Sequence, residues 1–279
     1  MDKKQIIEQF KRDYQYRLSD AVLQRYETVV TLFLSYTEKK LSDIHRKDIR
    51  DWMGNWLDQG YNPGTVYNNL SGLKTFFKYC VEEDLLDQNP AKDVRFPKME
   101  EKLPRYLTRE QLAQLRTLNE GKILDRAIIE VLYTTGIRVV EMVNMKQEDI
   151  NWNERFIIIP DTKEKKERLV MFTRECAEYL KRHQETTCHT SPYVFVSPVN
   201  HPKPYSTDTI RQRFEGYSNQ LDFKVTPHLL RHTFAAHLAQ KNMPIEHIQQ
   251  LLGHSSIDTT RIYARLYDQA RKEQYDEWR

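Results

Sequence analysis

The residues with the clearest chemical potential lie near the end of the chain. Thr226-Pro227-His228-Leu229-Leu230-Arg231 places a good N-cap before a proline at the first helical position. A helix therefore opens here, and His228 and Arg231, three apart, point the same way from its first turn. Free backbone N–H groups and the positive end of the helix dipole join them, which makes a ready phosphate site. The plainer readings are a capping or packing histidine and a surface arginine. His228 and His232, four apart, also have the spacing of a zinc helix, but the zinc-protease form needs Glu at position 229, where this chain has Leu. Metal hydrolysis is discounted on that ground. Further on, Leu251 to Tyr263 ends one helical pattern on Gly253-His254, reopens with Ser and Thr capping residues, and sets Tyr263 in the turns that follow. A turn followed by a short helix holds a tyrosine hydroxyl near a fixed point.

Two further basic residues lie upstream. A helix from about Leu124 to Tyr133 is broken by Thr134-Thr135-Gly136 just before Arg138, and Val139, Val140, Met142 and Val143 resume an apolar pattern. Arg138 could pair with Glu141 and merely hold the following helix. Its apolar neighbours argue instead for partial burial, and a buried guanidinium needs a bidentate acidic partner such as a phosphate. Lys163 lies between two β-rich runs, Arg155 to Ile159 and Arg168 to Phe172, which read as a hairpin. Lys165 and Lys166 are close by, so a solvated basic turn is the alternative there.

Taken in order, Arg138, Lys163, His228, Arg231, His254 and Tyr263 resemble the catalytic set of the tyrosine recombinases, the phage integrase and Xer-like family. The likeness is carried by Thr-Gly-Ile-Arg ending at Arg138, His-x-x-Arg-His from His228 to His232, Leu-Gly-His ending at His254, and Tyr263 beyond. It runs over most of the chain. The hairpin departs from the usual Gly-Lys-Gly of that family, reading Thr162-Lys163-Glu164, and Leu229 stands where a polar residue is common.

The resemblance implies that Tyr263 attacks a phosphodiester to give a 3′-phosphotyrosine and a free 5′-hydroxyl. A tyrosine with pKa ~10 is ionised only to about one part in a thousand at neutral pH. Two arginines and a protonated or donating histidine around one phosphate favour the phenolate and stabilise the added transition-state charge. In this scheme Lys163 protonates the departing sugar oxygen, His228 takes or returns the proton of the nucleophile, and His254 with the arginines holds the non-bridging oxygens. A covalent link that conserves the phosphodiester energy requires no ATP. The eight glycines form neither a P-loop nor a Gly-x-Gly-x-x-Gly. With cations in place of clustered carboxylates no Mg²⁺ is expected, so neither a metal nor another cofactor is called for.

The elements that position these residues divide into two parts. Residues 1–97 read as a helical domain. Leu23, Tyr26, Val30, Phe33 and Leu34 recur at helical spacing behind Ser19-Asp20; Ile49, Trp52, Met53, Trp56 and Leu57 repeat the pattern and stop at Gly60. A third helix opens after Asn62-Pro63-Gly64-Thr65 and turns Leu70, Leu73, Phe76 and Phe77 inward. Its other face offers Asn68, Asn69, Lys74 and Lys78, which on residue types alone make a solvated surface. The resemblance makes them candidates for DNA contact, because a helix beginning near Thr65 is similar to one that enters DNA in the core-binding domain of the family. Residues 98–106 read as a linker, within a proline- and charge-rich stretch that lacks periodicity. Residues 107–279 form the second domain, opening on the capping box Thr108-Arg109-Glu110-Gln111. Helices are expected near Glu175 to His183 and Thr207 to Asn219, with a short strand at Tyr193 to Val196. After Tyr263, Leu266, Tyr267, Ala270, Tyr275 and Trp278 give an apolar stripe among charges, suited to packing on its own domain; the resemblance implies docking into a neighbouring subunit instead.

Composition narrows the class. The chain has 279 residues, 39% hydrophobic and 30% charged, which fits a soluble globular protein. It has no apolar run approaching the ~20 residues that span a bilayer and no signal-peptide core, so a cytoplasmic protein is expected. Cys80, Cys176 and Cys188 are an odd number without a Cys-x-x-Cys pair and read as buried or incidental thiols. The net charge is only +3. If the partner is nucleic acid, the basic groups must be gathered on one face.

The resemblance implies a fold that is mainly α with a small antiparallel β-sheet: an N-terminal helical core-binding (SAM-like) domain and a C-terminal mixed α/β catalytic domain, closing as a clamp. It implies double-stranded DNA with specific recombination sites as the partner. It also implies a homotetramer assembled through the C-terminal tail and strand exchange through a Holliday junction. With the chain opening directly on the core-binding domain, chromosome-dimer resolution, transposon cointegrate resolution and compact integration or excision all fit. The alternatives are a telomere resolvase or type IB topoisomerase, and a sequence-specific DNA-binding protein that does not use the catalytic set.

Overall fold

The computed structural model describes residues 2–98, 105–160, 167–187, 191–197 and 203–253. The chain divides into two compact units, Met1–Glu101 and Lys102–Arg279. It is mainly helical, with one small antiparallel sheet.

The first unit contains α1 (Lys3–Tyr14), α2 (Asp20–Thr37), α3 (Arg46–Asp58) and α4 (Pro63–Glu82). The last three follow the expected apolar periodicities. Helix α4 starts as its sequence dictates, with Pro63 at the first position and the Asn62 side chain accepting the Gly64 N–H at 2.8 Å. Helix α1 was not among the expected elements, although Ile6, Ile7, Phe10 and Tyr14 stand at helical spacing and all are buried. It seals the aromatic core: Phe10 meets Phe76 edge-on at 5.6 Å, and Phe33 meets Trp52 edge-on at 5.4 Å. Two tyrosine hydroxyls tie α1 to α4, Tyr79 donating to Asp13 and Tyr14 to Glu82, each at 3.0 Å.

The second unit contains α5 (Arg109–Leu118), α6 (Ile123–Thr135), α7 (Val139–Val143), β1 (Ile150–Asn151), β2 (Phe156–Pro160), β3 (Glu167–Met171), α8 (Arg174–Thr186), α9 (Thr207–Ser218), α10 (Pro227–Gln240) and α11 (Ile245–Leu252). The expected capping box opens α5, with Thr108 Oγ1 accepting the Gln111 N–H. Helix α6 runs through the core, and Ala127, Ile128, Ile129, Val131 and Leu132 are fully buried. Glu130 is buried with them, held by a two-pronged contact from Arg116 at 2.9 and 2.6 Å and by Arg126 at 2.8 Å.

The sheet has the order β1-β2-β3, all antiparallel, with Ile157 opposite Val170 and Ile159 opposite Arg168. The expected pairing of β2 with β3 is present, while the short β1 went unread. The strand expected at Tyr193 to Val196 does not form. Tyr193 bridges to Lys146 on one side and Val196 to Pro204 on the other, so the run never keeps one partner long enough for a ladder. Its β-forming residues reflect burial instead, since Val194, Phe195 and Val196 all lie in the interior.

Candidate active site

Helix α10 begins as its sequence demands, with Pro227 first and Thr226 Oγ1 accepting the Leu229 N–H at 3.0 Å. This fixes His228 and Arg231 on its opening turns. Arg231 is no surface residue: only 4% of it is exposed. Its guanidinium donates to the Gly136 carbonyl at 2.6 Å and to the Leu252 carbonyl at 2.7 Å. Both acceptors sit at helix C-termini, where carbonyls lack intrahelical partners and carry partial negative charge. Gly136 ends α6 at φ +64°, and a Cβ there would lie 2.3 Å from the Phe234 ring. Only glycine both turns the chain and leaves room for α10 against it.

Arg138 caps the N-terminus of α7. Its backbone N–H donates to Glu141 at 2.7 Å, its guanidinium to the same carboxylate at 2.9 Å and to the Gly253 carbonyl at 3.1 Å. The pairing with Glu141 is therefore present, and the side chain is 44% exposed rather than enclosed in apolar surroundings. The five-residue helix it caps turns Met142 and Val143 inward and leaves the cap outside.

A third arginine, Arg168 on β3, was not singled out from the sequence. It grips Glu141 at 3.1 and 2.6 Å and donates from Nε to the Leu251 carbonyl at 3.2 Å. Residue types in β3 do not announce its placement: the strand turns Arg168 and Val170 to the sheltered face and leaves the apolar Leu169 and Met171 exposed. Burial alone would raise the Glu141 pKa; hydrogen bonds from Arg168 and the Arg138 backbone, the Arg168 charge and the hydrogen bond of the Arg138 side chain outweigh it and hold the carboxyl below its usual range.

Three arginines from three elements thus take the carbonyls of Leu251, Leu252 and Gly253, the last turn of α11, which ends on Gly253 in the left-handed conformation. His228 lies beside them, with His232 one turn along α10; the two Nε2 atoms are 3.0 Å apart. Partial desolvation, then the charges of Arg231 and Arg138, lowers the His228 pKa. The same causes push His232 to about 4, with desolvation first and His228 and Arg231 after it. A cleft of about 980 Å³ opens here, lined by Arg138, His228 and Arg231 and, from α9, by Thr207 and Arg211.

The structure brings together Arg138, His228 and Arg231. Lys163, His254 and Tyr263 lie outside the described residues, as do Cys188 and the apolar stripe of the tail. Among the described residues, no group of three or more His, Cys, Asp or Glu could hold a metal ion, and no helix is long and apolar enough to cross a membrane. Cys80 and Cys176 are buried free thiols.

The four α4 candidates do not share one open face. Asn69 is 7% exposed, because one turn of helix in either direction aligns it with the buried Val66 and Leu73. Lys74 is half-buried, donating to the Lys92 carbonyl at 3.0 Å and lying over the Phe96 ring. Lys78 pairs with Glu82 at 3.3 Å. Asn68 alone of the four is exposed without either kind of tie among the described residues.

Residues 105–270 match the model of the phage integrase family. The chain is similar to a tyrosine recombinase of Pseudothermotoga lettingae, 32% identical over 91% of this chain and 90% of the relative. It is similar to the tyrosine recombinase XerA of Pyrococcus furiosus, 34% identical over 85% of this chain and 82% of that one. Among solved structures, it resembles the XerH site-specific recombinase bound to a palindromic difH substrate in a post-cleavage complex. There the TM-score is 0.76 at 20% identity, covering 92% of this chain and 79% of that one. The chain belongs to the phage integrase family and is a tyrosine recombinase, an enzyme that breaks and rejoins DNA.

Proposed function

We propose that the chain recombines double-stranded DNA at specific sites through a 3′-phosphotyrosine intermediate, with Arg138 and Arg231 holding the scissile phosphate. The observation that carries this reading is the convergence of those two guanidiniums with His228 on one cleft in front of the α11 end. Arg231 is locked by carbonyls on two nitrogens, whereas Arg138 keeps a solvent-facing edge for a non-bridging oxygen. With its pKa lowered by partial burial and the neighbouring arginines, His228 favours its neutral form and is suited to accept the phenolic proton.

In the proposed step the Tyr263 oxygen bonds to phosphorus as its proton passes to His228, and the bond from phosphorus to the 5′-oxygen breaks as Lys163 gives that oxygen a proton. His254 assists the arginines at the non-bridging oxygens. Reversal of the step by a partner 5′-hydroxyl joins strands from two sites, passing through a Holliday junction in a homotetramer linked by the C-terminal tail. The DNA-bound state of the XerH relative supports duplex DNA as the substrate. We assign the work to the cytoplasm and require neither metal nor nucleotide for it.

The test is covalent trapping on a nicked duplex carrying a site selected from DNA that the purified protein binds. The wild type should form an adduct stable to denaturant, and Tyr263→Phe should bind the duplex without forming one. An adduct persisting in that variant would remove Tyr263 from the role.

A further inference from the structure

The geometry points to an inhibitory site for a divalent transition-metal ion on α10, with the Nε2 atoms of His228 and His232 as its two protein ligands and water completing the shell. Histidines four apart stand one above the other on a helix face, a spacing by which helices grip metal ions. Here the pair is already closed up. The Nε2 atoms are 3.0 Å apart while the ring centres are 4.3 Å apart, so the nitrogens are the facing edges. His228 is exposed and lines the cleft of about 980 Å³, which gives water access to the ion, and His232 is half-buried one turn further on.

The separation selects the ion. With metal–imidazole bonds of ~2.0–2.1 Å, two nitrogens 3.0 Å apart subtend about 95° at a shared ion. Tetrahedral zinc asks for ~109°, or about 3.3–3.4 Å between the nitrogens. Near-right angles belong to Cu(II) and Ni(II), for which imidazole is a suitable ligand.

A ligating imidazole must offer a bare nitrogen. Desolvation, then the charges of Arg231 and Arg138, disfavours protonation of His228; desolvation, then His228 and Arg231, does the same at His232. In the metal-free pair one Nε2 carries the hydrogen, and its move to Nδ1 of the same ring opens the second ligand without releasing a proton. The two arginines oppose a metal ion as they oppose a proton. A proton bonds to one nitrogen at a time, however, whereas a metal ion takes both, and the Glu141 carboxylate beside Arg138 offsets part of the positive charge. Leu229 stands where a metal-dependent hydrolase would carry its glutamate base, so the ion is held without being put to hydrolysis. What it does is occupy the lone pair with which His228 accepts the phenolic proton. That consequence rests on the proposed function; the binding itself does not.

The test uses the full chain without an affinity tag, at neutral pH, with Ni(II) as the probe. Calorimetric titration should show a Ni(II) site in the wild type that is weakened at least about tenfold in His228→Gln and in His232→Gln, since disturbing even a ligand's supporting partner costs that much. Ni(II) should raise the unfolding midpoint of the wild type and of neither variant, because only the folded helix holds the two rings together. Mg²⁺, which takes oxygen ligands, should neither bind there nor inhibit. Saturating Ni(II) should abolish adduct formation on the nicked duplex, and a chelator should restore it. Equal Ni(II) uptake by the wild type and both variants would place the ion on surface histidines such as His247 and overturn the site. Uptake lost in both variants, with adduct formation by the wild type unaffected by Ni(II), would keep the site and overturn the proton-acceptor reading of His228.

Discussion

His228 and His232 face each other on consecutive turns of α10 with their Nε2 atoms 3.0 Å apart, a distance at which one nitrogen must carry the hydrogen and the other accept it. Both rings holding a proton on Nε2 would bring two donors together. The pair is therefore at most singly charged, and the arginines around it favour no charge at all. Among the two roles open to His228 from the sequence, this geometry fits a proton acceptor better than a standing cation.

The first prediction concerns pH. An unfolded histidine titrates near ~6.5, and the folded His232 near about 4, so the unfolded chain binds the extra proton between those values. The stability contributed by neutral His232 is fully present above pH ~6.5 and is lost as pH falls toward the folded value. Thermal unfolding from pH 7 down to 4.5 should show a steeper loss for the wild type than for His232→Gln. Parallel curves would mean that His232 does not titrate in this way.

Arg168 should matter for cutting more than for binding. It faces Glu141 and the α11 end, not the opening. Arg168→Gln frees both, and a misplacement of about 1 Å can cost 10²-fold in rate. Adduct formation on the nicked duplex should slow by about that factor, with duplex affinity changed no more than a few-fold. Equal loss of rate and affinity would make Arg168 a DNA contact instead.

Gly136→Ala should be destabilising by about 1–3 kcal/mol, because the new methyl group meets the Phe234 ring and the backbone stays at positive φ. Urea titration measures this directly. Adding Phe234→Leu should recover part of the loss if the collision dominates. No recovery would assign the cost to the backbone conformation alone.

Lys163→Ala should slow cleavage of an ordinary phosphodiester by ~10² or more if Lys163 is the general acid. A substrate with a 5′-bridging sulfur releases a thiolate that needs no proton, so the variant should recover there, whereas Arg138→Ala should not. If Lys163→Ala stays slow on both substrates and Lys165→Ala or Lys166→Ala recovers, the acid is another of those lysines.

What the sequence revealed follows the range of the interactions. The start of α10 could be read because Thr226, Pro227 and Leu229 act within three residues of one another. The end of α6 at Gly136 and that of α11 at Gly253 were equally local. The role of Arg168 depends on Glu141 and Leu251, far away in the chain, and no local pattern reports such a pair. Asn69 was misplaced for another reason: its polar side chain drew attention away from its alignment with Val66 and Leu73. Helix α1 could have been found, since Ile6, Phe10 and Tyr14 repeat every four residues behind Asp2, whose N–H is taken by the Gln5 side chain at 3.1 Å.

The last turn of α11 has a further consequence for what can approach it. A helix C-terminus carries about half a unit of negative charge and repels an anion. Here Arg138, Arg168 and Arg231 bring three positive charges to the final carbonyls, and Glu141 returns only one negative. The sign of the local field is reversed. The blunt end of a helix, ordinarily a barrier to phosphate, becomes ground on which a phosphate can rest, and the chain that continues from Gly253 sets out from that same ground.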